Sequence, residues 1–258
     1  DITGNGTSVT STYDSSDSAY GTITGTSMAS PNVTGTLLLL QQHYNNLNGS
    51  FMRATTLKGL ALHTADDAGP AGPDAVYGWG LLNAKRAAET ISAEGTSAKI
   101  EELTLNSGQT YEITVNADGI NDLIASISWT DLPGTATTQT NSSTARLVND
   151  LDIRVTQSGS TFYPYRLTSI TSNGTGDNSV DPYERVNVAN ASGSYTITIS
   201  HKGSLSSGSQ NYSLILTGIT EEAVVCEATT PANVSVSGVG STSAIVSYDA
   251  VTGATYEL

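Results

Sequence analysis

Gly25-Thr26-Ser27-Met28-Ala29-Ser30-Pro31, followed by Val33 and the run Leu37-Leu38-Leu39-Leu40, decides how the first third of this chain folds. The seven residues predict a serine at the amino end of an α-helix. Gly25 lets the backbone turn tightly. Pro31 has no N–H to donate, which suits a first helical turn and not a helix interior. Val33 and the four leucines place apolar residues on every side, the pattern of a helix buried all round. At such an end the N–H groups are free and the dipole is positive, so negative charge developing beside the Ser27 hydroxyl would be stabilised. Ser and Thr are also ordinary N-cap residues, and a bare Gly-Thr-Ser would carry no more than that.

The full heptapeptide resembles the nucleophile motif of subtilisin-like serine proteases, the subtilases. Gly78-Trp79-Gly80-Leu81-Leu82-Asn83-Ala84 is similar to the Gly-x-Gly-x-x-Asn-Ala signature that closes the same catalytic domain. Asp1-Ile2 and Tyr20-Gly21 also sit where that family runs up to its serine, so the resemblance covers residues 1 to about 95. It implies an α/β subtilisin-like catalytic domain, its C-terminal part only, in which Ser27 attacks the scissile carbonyl of a polypeptide substrate. The Ser27 N–H would help bind the oxyanion, Gly25 and Thr26 would form the backbone beside the substrate, and Met28 would line the leaving-group side. The Gly-x-Ser-x-Gly elbow of α/β-hydrolases fits less well: the fifth position is Ala29, Pro31 follows, and Thr22-Ile23-Thr24 makes a weak strand.

His43, His63 and His201 all come after Ser27, and the acids before it are Asp1, Asp14 and Asp17. The subtilisin order is Asp, His, Ser. The triad partners and the oxyanion-hole asparagine are therefore expected upstream, Asn5 not being in a matching position. The sequence is expected to be a carboxy-terminal portion of a longer protease, inactive alone, with the upstream part of its own catalytic domain as a partner. His63, in Leu62-His63-Thr64-Ala65-Asp66-Asp67, reads as a helix end, where a cation is favourable. His43 reads as the exit of the serine helix.

The 258 residues carry 10 Lys plus Arg against 24 Asp plus Glu, a formal charge of −14. Nucleic acid and anionic membranes would repel such a chain, and neither is expected as a partner. No run of eighteen apolar residues exists that could span a membrane. Cys226, the single cysteine, permits no internal disulfide. A composition rich in Ser, Thr, Asn and Gly, together with the resemblance, implies secretion.

After residue 96 the apolar period changes from helical to two. Tyr111, Ile113 and Val115 alternate with polar neighbours; so do Leu123 to Trp129, Leu151 to Val155, Tyr195 to Ile199 and Tyr212 to Leu216. Half-buried strands separated by Gly, Asn and Ser turns predict an all-β sandwich or jelly roll over residues 99–219. Trp129 and the tyrosines read as its core. Leu147-Val148-Asn149-Asp150-Leu151-Asp152 and Gly193-Ser194-Tyr195-Thr196-Ile197 resemble the carboxy-terminal β-barrel of some secreted alkaline subtilases, which implies a bracing role. Residues 220–230 read as a linker and 231–258 as a truncated fibronectin type III-like module with Val234, Val236, Ala244, Val246 and Tyr248.

Asp150 and Asp152 share one face of a strand, and Arg154 neutralises only part of their repulsion. Asp177 and Asp181 lie in the loop Gly176-Asp177-Asn178-Ser179-Val180-Asp181, whose groups suit a hard cation. The resemblance implies calcium as a structural ion, with no cofactor for catalysis. A solvated acidic loop explains the same residues equally well. Two further functional classes stay open: an adhesive β-module protein with a degenerate protease half, and a serine esterase.

Overall fold

The computed structural model describes residues 1–220 and 233–249. Cys226 and most of the expected linker lie outside the described residues. The chain divides into two compact units, Asp1–Glu221 and Glu222–Leu258.

The first unit opens with a two-stranded ribbon, β1 (Val9–Thr12) and β2 (Tyr20–Ile23), followed by α1 (Thr26–Asn48), α2 (Ala54–His63) and α3 (Ala84–Ser92). A true strand therefore precedes the serine helix, where only a weak one was expected. It pairs solely with its ribbon partner and is mostly exposed, unlike the buried central strand that leads into an elbow. α1 runs through His43 to Asn48, and the Gly49 N–H closes it on the Asn45 carbonyl at 2.8 Å. His43 is thus inside the helix rather than at its exit, its Nε2 at 2.9 Å from the Ser92 hydroxyl.

Strands then dominate: β3 (Ala98–Asn106), β4 (Tyr111–Asp118), β5 (Leu123–Trp129), β6 (Leu151–Gln157), β7 (Ser160–Phe162), β8 (Tyr165–Ser169), β9 (Ser172–Thr175), β10 (Tyr183–Val188), β11 (Ser192–His201), β12 (Ser209–Thr217) and β13 (Ile219–Thr220). All five apolar alternations read in the sequence fall on strands. Two antiparallel sheets form, in the orders β10-β5-β12-β3 and β13-β4-β11-β6-β7, with β8 and β9 as a separate ribbon. The pairing is nested: β3 with β12, β4 with β11, β5 with β10 and β6 with β7, as in one long hairpin rolled over on itself. Between the sheets lie Leu123, Ile127, Leu151, Ile153, Ile197 and Leu214, all fully buried. Each such side chain stabilises the fold by roughly 1.5–3 kcal/mol. Trp129 sits among them, its indole N–H donating to the Asn149 carbonyl at 3.0 Å.

The three helices cover the outer face of the first sheet. Leu40, Met52, Leu60, Ala87 and Ile91 pack on Ile100 of β3 and Ile215 of β12. β5 and β12 are consequently buried on both faces and not half-buried. Their second faces carry Ser126, Ser128, Ser213 and Thr217, small polar residues whose alternation suggests solvent until a helix is laid over them. Most of these hydroxyls are satisfied across the seam: Thr55 and Thr56 each meet the Ser213 hydroxyl at 2.8 Å, whereas the buried Ser128 hydroxyl has no hydrogen-bond partner among the described residues. Lys58 donates to the carbonyls of Trp129 and Pro182, both at 3.2 Å.

α1 departs from expectation. Of its residues only Leu40 is buried, while Leu38 and Leu39 are 66% and 67% exposed. The all-round apolar pattern is real, but α2 and α3 cover a single face of the helix.

The second unit contains a short antiparallel ribbon, β14 (Ser235–Ser237) with β15 (Ile245–Ser247). Val236 and Ile245 are more than half exposed on it, as is Val234 just before it.

His63 ends α2 as the sequence predicts, but it is not a helix-end cation. It is buried, with Nδ1 at 2.8 Å from the Ser126 hydroxyl and Nε2 at 2.9 Å from that of Thr217. Burial, and then the Arg185 and Arg86 guanidinium groups, push its pKa down to about 3. The unfolded chain takes up this proton near the ordinary value of 6.5, whereas the fold resists it until about 3. Stability from this residue is therefore complete above the unfolded value and is lost as pH falls through that window. By pH 5 the loss should reach about 2 kcal/mol. Urea unfolding at pH 7 and pH 5 measures it, and His63→Gln should flatten the dependence.

Candidate active site

α1 begins at Thr26, with Gly25 as its N-cap residue, so Ser27 stands second in the helix and is exposed. The first helical bonds come from Met28 and Ala29, both to the Gly25 carbonyl, at 3.0 and 3.3 Å. Among the described residues the N–H groups of Thr26 and Ser27 have no backbone acceptor, and no side chain caps the helix. Two unused donors and the positive end of a 23-residue helix thus lie beside the Ser27 hydroxyl. An oxyanion forming there would find donors already in place.

Two local expectations need correction. Pro31 is the sixth residue of α1 and not part of its first turn. The helix starts immediately before the serine, so the bond that Pro31 cannot make is the one to the Ser27 carbonyl. Nor does Gly25 form a tight turn, since its φ of 168° and ψ of 164° are extended backbone open to any residue. A Cβ on Gly25 would meet only Met28 Sδ at 3.7 Å and Ser27 N at 3.9 Å. Packing within the chain does not demand glycine there; the room it leaves is next to the serine. Thr26 is exposed and Met28 half-buried.

The second motif is explained by backbone contact. Thr3 N donates to the Gly80 carbonyl at 2.8 Å, Leu82 N to the Thr3 carbonyl at 2.9 Å, and Trp79 N to the Asp1 carbonyl at 2.9 Å. Gly78 and Gly80 have φ of 64° and 111°, values that favour glycine. A Cβ on Gly78 would stand 2.5 Å from the Asp1 carbonyl, and one on Gly80 would stand 2.0 Å from the Asp66 oxygen. Asn83 then caps α3 by accepting from Arg86 N at 2.8 Å, while its Nδ2 donates to Asp66 Oδ2 at 2.9 Å. Arg86 completes the knot with Asp66 at 2.8 Å. The signature ties residues 1–3, Asp66 and α3 together, and Gly25 N, bonded to the Gly6 carbonyl at 2.9 Å, ties the serine turn to the same segment.

No histidine is brought to Ser27. His43 meets Ser92, His63 is enclosed between two hydroxyls, and His201 Nε2 accepts from Gly108 N at 2.7 Å. Asp14 and Asp17 are exposed between β1 and β2. Asn5 is spent on its own turn, accepting from Thr7 N at 3.1 Å. Clefts of about 390 and 290 Å³ exist, but neither is lined by Ser27; the first lies by Arg53, Asn149 and Gln210, the second by Asp74, Trp79 and Tyr165.

The four aspartates read as cation ligands do not assemble as a set. Asp150, Asp152 and Asp177 converge, but on the Lys202 ammonium, at 3.1, 3.0 and 3.0 Å. Arg154 pairs with Asp152 at 3.0 Å and with Asp177. Asp181 stands apart and accepts from Asn178 Nδ2 at 3.3 Å. Among the described residues no group of three or more His, Cys, Asp or Glu is arranged to hold a metal ion. Burial works against the Lys202 charge, but its bonds to Asp177, Asp152 and Asp150 prevail and hold its pKa above the usual lysine value. Glu184, fully buried beneath, accepts from Ile153 N at 2.7 Å, and burial pushes its carboxyl well above the ordinary range. Sequence reasoning missed Lys202 and Glu184. The available signal was scarcity: Lys202 is one of only 10 basic residues and closes a strand whose apolar period was already visible.

Residues 1–80 match the family model described as the subtilase family. Over 68 residues the chain is 40% identical to an extracellular serine protease of Serratia marcescens, a match covering 26% of this chain and 6% of that protein. Over 65 residues it is 45% identical to the Neisserial autotransporter lipoprotein NalP of Neisseria meningitidis serogroup B, covering 25% of this chain and again 6% of the relative. The matched stretch is thus a small part of each relative's length. The family model and these relatives support a serine-protease family relationship, the model over residues 1–80. Among solved structures, PliG of Aeromonas hydrophila, a periplasmic inhibitor of g-type lysozyme, aligns with 48% of this chain and 87% of its own at 12% identity and a TM-score of 0.24. A likeness that slight carries no argument.

Gly80→Ala should remove about 3 kcal/mol or more of stability, because both the backbone conformation and the Asp66 carbonyl oppose a side chain. Scanning calorimetry of the variant against the parent chain measures the loss; an unchanged unfolding temperature would contradict the clamp.

Proposed function

We propose that this chain supplies the nucleophilic half of a secreted serine endopeptidase of the subtilase kind. The observation that carries the reading is Ser27 as the second residue of a helix, exposed, with an uncommitted N–H, and close by a glycine that packing does not require. In this reading Ser27 Oγ attacks the scissile carbonyl, a histidine takes its proton, and the Ser27 N–H stabilises the resulting oxyanion. The leaving amine receives that proton, and water then resolves the acyl-enzyme. Gly25 and Thr26 flank the substrate backbone and Met28 faces the leaving side. The triad acid, the histidine and the asparagine of the oxyanion hole come from chain outside these 258 residues. That same upstream part of the domain covers Leu38 and Leu39 on α1. Polypeptides are the substrates, and no cofactor enters the chemistry.

The nested strand pairing supports reading residues 99–219 as a jelly roll, with β13 as an added edge, whose office is to brace the helices. The β14–β15 ribbon is read as the opening of a fibronectin type III-like module. Secretion agrees with the printed descriptions of the relatives, one extracellular and one an autotransporter, and with the lack of any described helix long and apolar enough to cross a membrane.

A fluorophosphonate probe tests the nucleophile. A longer form of the protein that includes the upstream segment should be labelled at Ser27, and Ser27→Ala should abolish labelling. The 258-residue chain alone should stay unlabelled, since a serine without a base is a poor nucleophile. Labelling that survives Ser27→Ala would place the nucleophile elsewhere.

A further inference from the structure

The sandwich carries an acidic corner for which the sequence suggests calcium, and its residues do not fit that ion. Calcium takes about six to eight oxygens at roughly 2.3–2.6 Å. Here the position at the centre of the carboxylates is already held by a nitrogen of the chain itself. Lys202 Nζ has three N–H donors, and three separate carboxylates stand at hydrogen-bond distance from it: Asp150 Oδ2 at 3.1 Å, Asp152 Oδ1 at 3.0 Å and Asp177 Oδ2 at 3.0 Å. The lysine backbone is pinned as well, its N–H donating to the Asp150 carbonyl at 2.9 Å. Arg154 bridges two of the same carboxylates and also lies 3.9 Å from the buried Glu184 carboxyl, so two cations face the three converging aspartates with Glu184 beside them. The contributors come from three places that the fold must hold together: the start of β6, the end of β11, and the loop before β10.

We infer that the Lys202 ammonium takes the place of a divalent cation in this corner, so that the sandwich is calcium-independent and removal of that one side chain would uncover a calcium site. A lysine that reaches three carboxylates bonds to all of them and offsets one of their charges, with Arg154 offsetting a second, without a metal from solution. Its replacement by an uncharged side chain leaves three convergent carboxylates with only Arg154 between them, and calcium then becomes the cheapest counter-ion. The atoms that would bind it are the ones now bonded to Nζ, with water completing the coordination.

The test compares the 258-residue chain with its Lys202→Met and Lys202→Gln variants by thermal unfolding, in chelator and in millimolar calcium chloride. The parent chain should unfold at the same temperature in both, and should not bind terbium in a luminescence titration. The variants should unfold about 3–6 °C lower in chelator, and calcium should restore most of that loss. A parent chain stabilised by calcium would overturn the inference at once, without any variant. Variants that fold but ignore calcium would overturn the claim of an uncovered site. If neither variant folds in chelator, recovery of folded protein on refolding in calcium supports the inference, and failure to recover it counts against it.

Discussion

β5 and β12 must be buried on both faces at the same time, and the architecture of the first unit follows from that requirement. Their inner faces close the sandwich with Leu123, Ile127, Trp129, Tyr212 and Leu214. Their outer faces accept α2 through a seam of hydroxyls, a neutral imidazole and a few apolar contacts. Serine at those outer positions solves a steric problem, since a helix can approach a sheet closely only over small side chains. The cost is that hydroxyls in the seam need partners there, an unsatisfied one being destabilising by about 1–3 kcal/mol, and the Ser128 hydroxyl is left with none among the described residues. His63 shows how partners are found: each ring nitrogen meets a hydroxyl from a different strand, while burial disfavours the charged imidazolium.

The helical layer, once docked, carries the serine turn with it. α1 and α3 pack together through Leu40, Ala87 and Ile91. α3 is capped by Asn83, and Asn83 is joined through Asp66 to the Gly78–Gly80 turn, against which residues 1–3 lie. The two sequence motifs, some fifty residues apart, are therefore one mechanical assembly. Rigid support of this kind is what a nucleophile needs, since a displacement of about 1 Å at the reacting atom can cost a hundredfold in rate.

Charge is handled locally. A chain with a formal charge of −14 has little cation to spend, and it places two of its 10 basic residues in a single corner. Concentrating Lys202 and Arg154 there lets Asp150, Asp152 and Asp177 lie close together at the rim of the sandwich. Elsewhere some acids pair singly with a base, as Asp66 does with Arg86 and Glu102 with Arg53, and others serve as turn caps, as Asp118 does for Ile120 and Asn121.

What the sequence by itself determined was whatever depends on neighbours along the chain. The serine at a helix start, the Gly-x-Gly-x-x-Asn turn and the period-two strands are local patterns, and each was legible because its physical cause spans only a few residues. β3, β7, β8, β9 and β10 were not singled out, because their apolar residues are too few or too irregular to give a period. Tertiary structure alone decided which strand faces are covered, since Ser126 and Ser213 look the same in a sequence whether a helix or water lies above them. It alone decided that α1 leaves Leu38 and Leu39 open, that His63 is neutral, and that Lys202 reaches across fifty residues to Asp150 and Asp152. Burial and pairing at long range are set by how the sheets roll and where the helices land, and no local pattern encodes either.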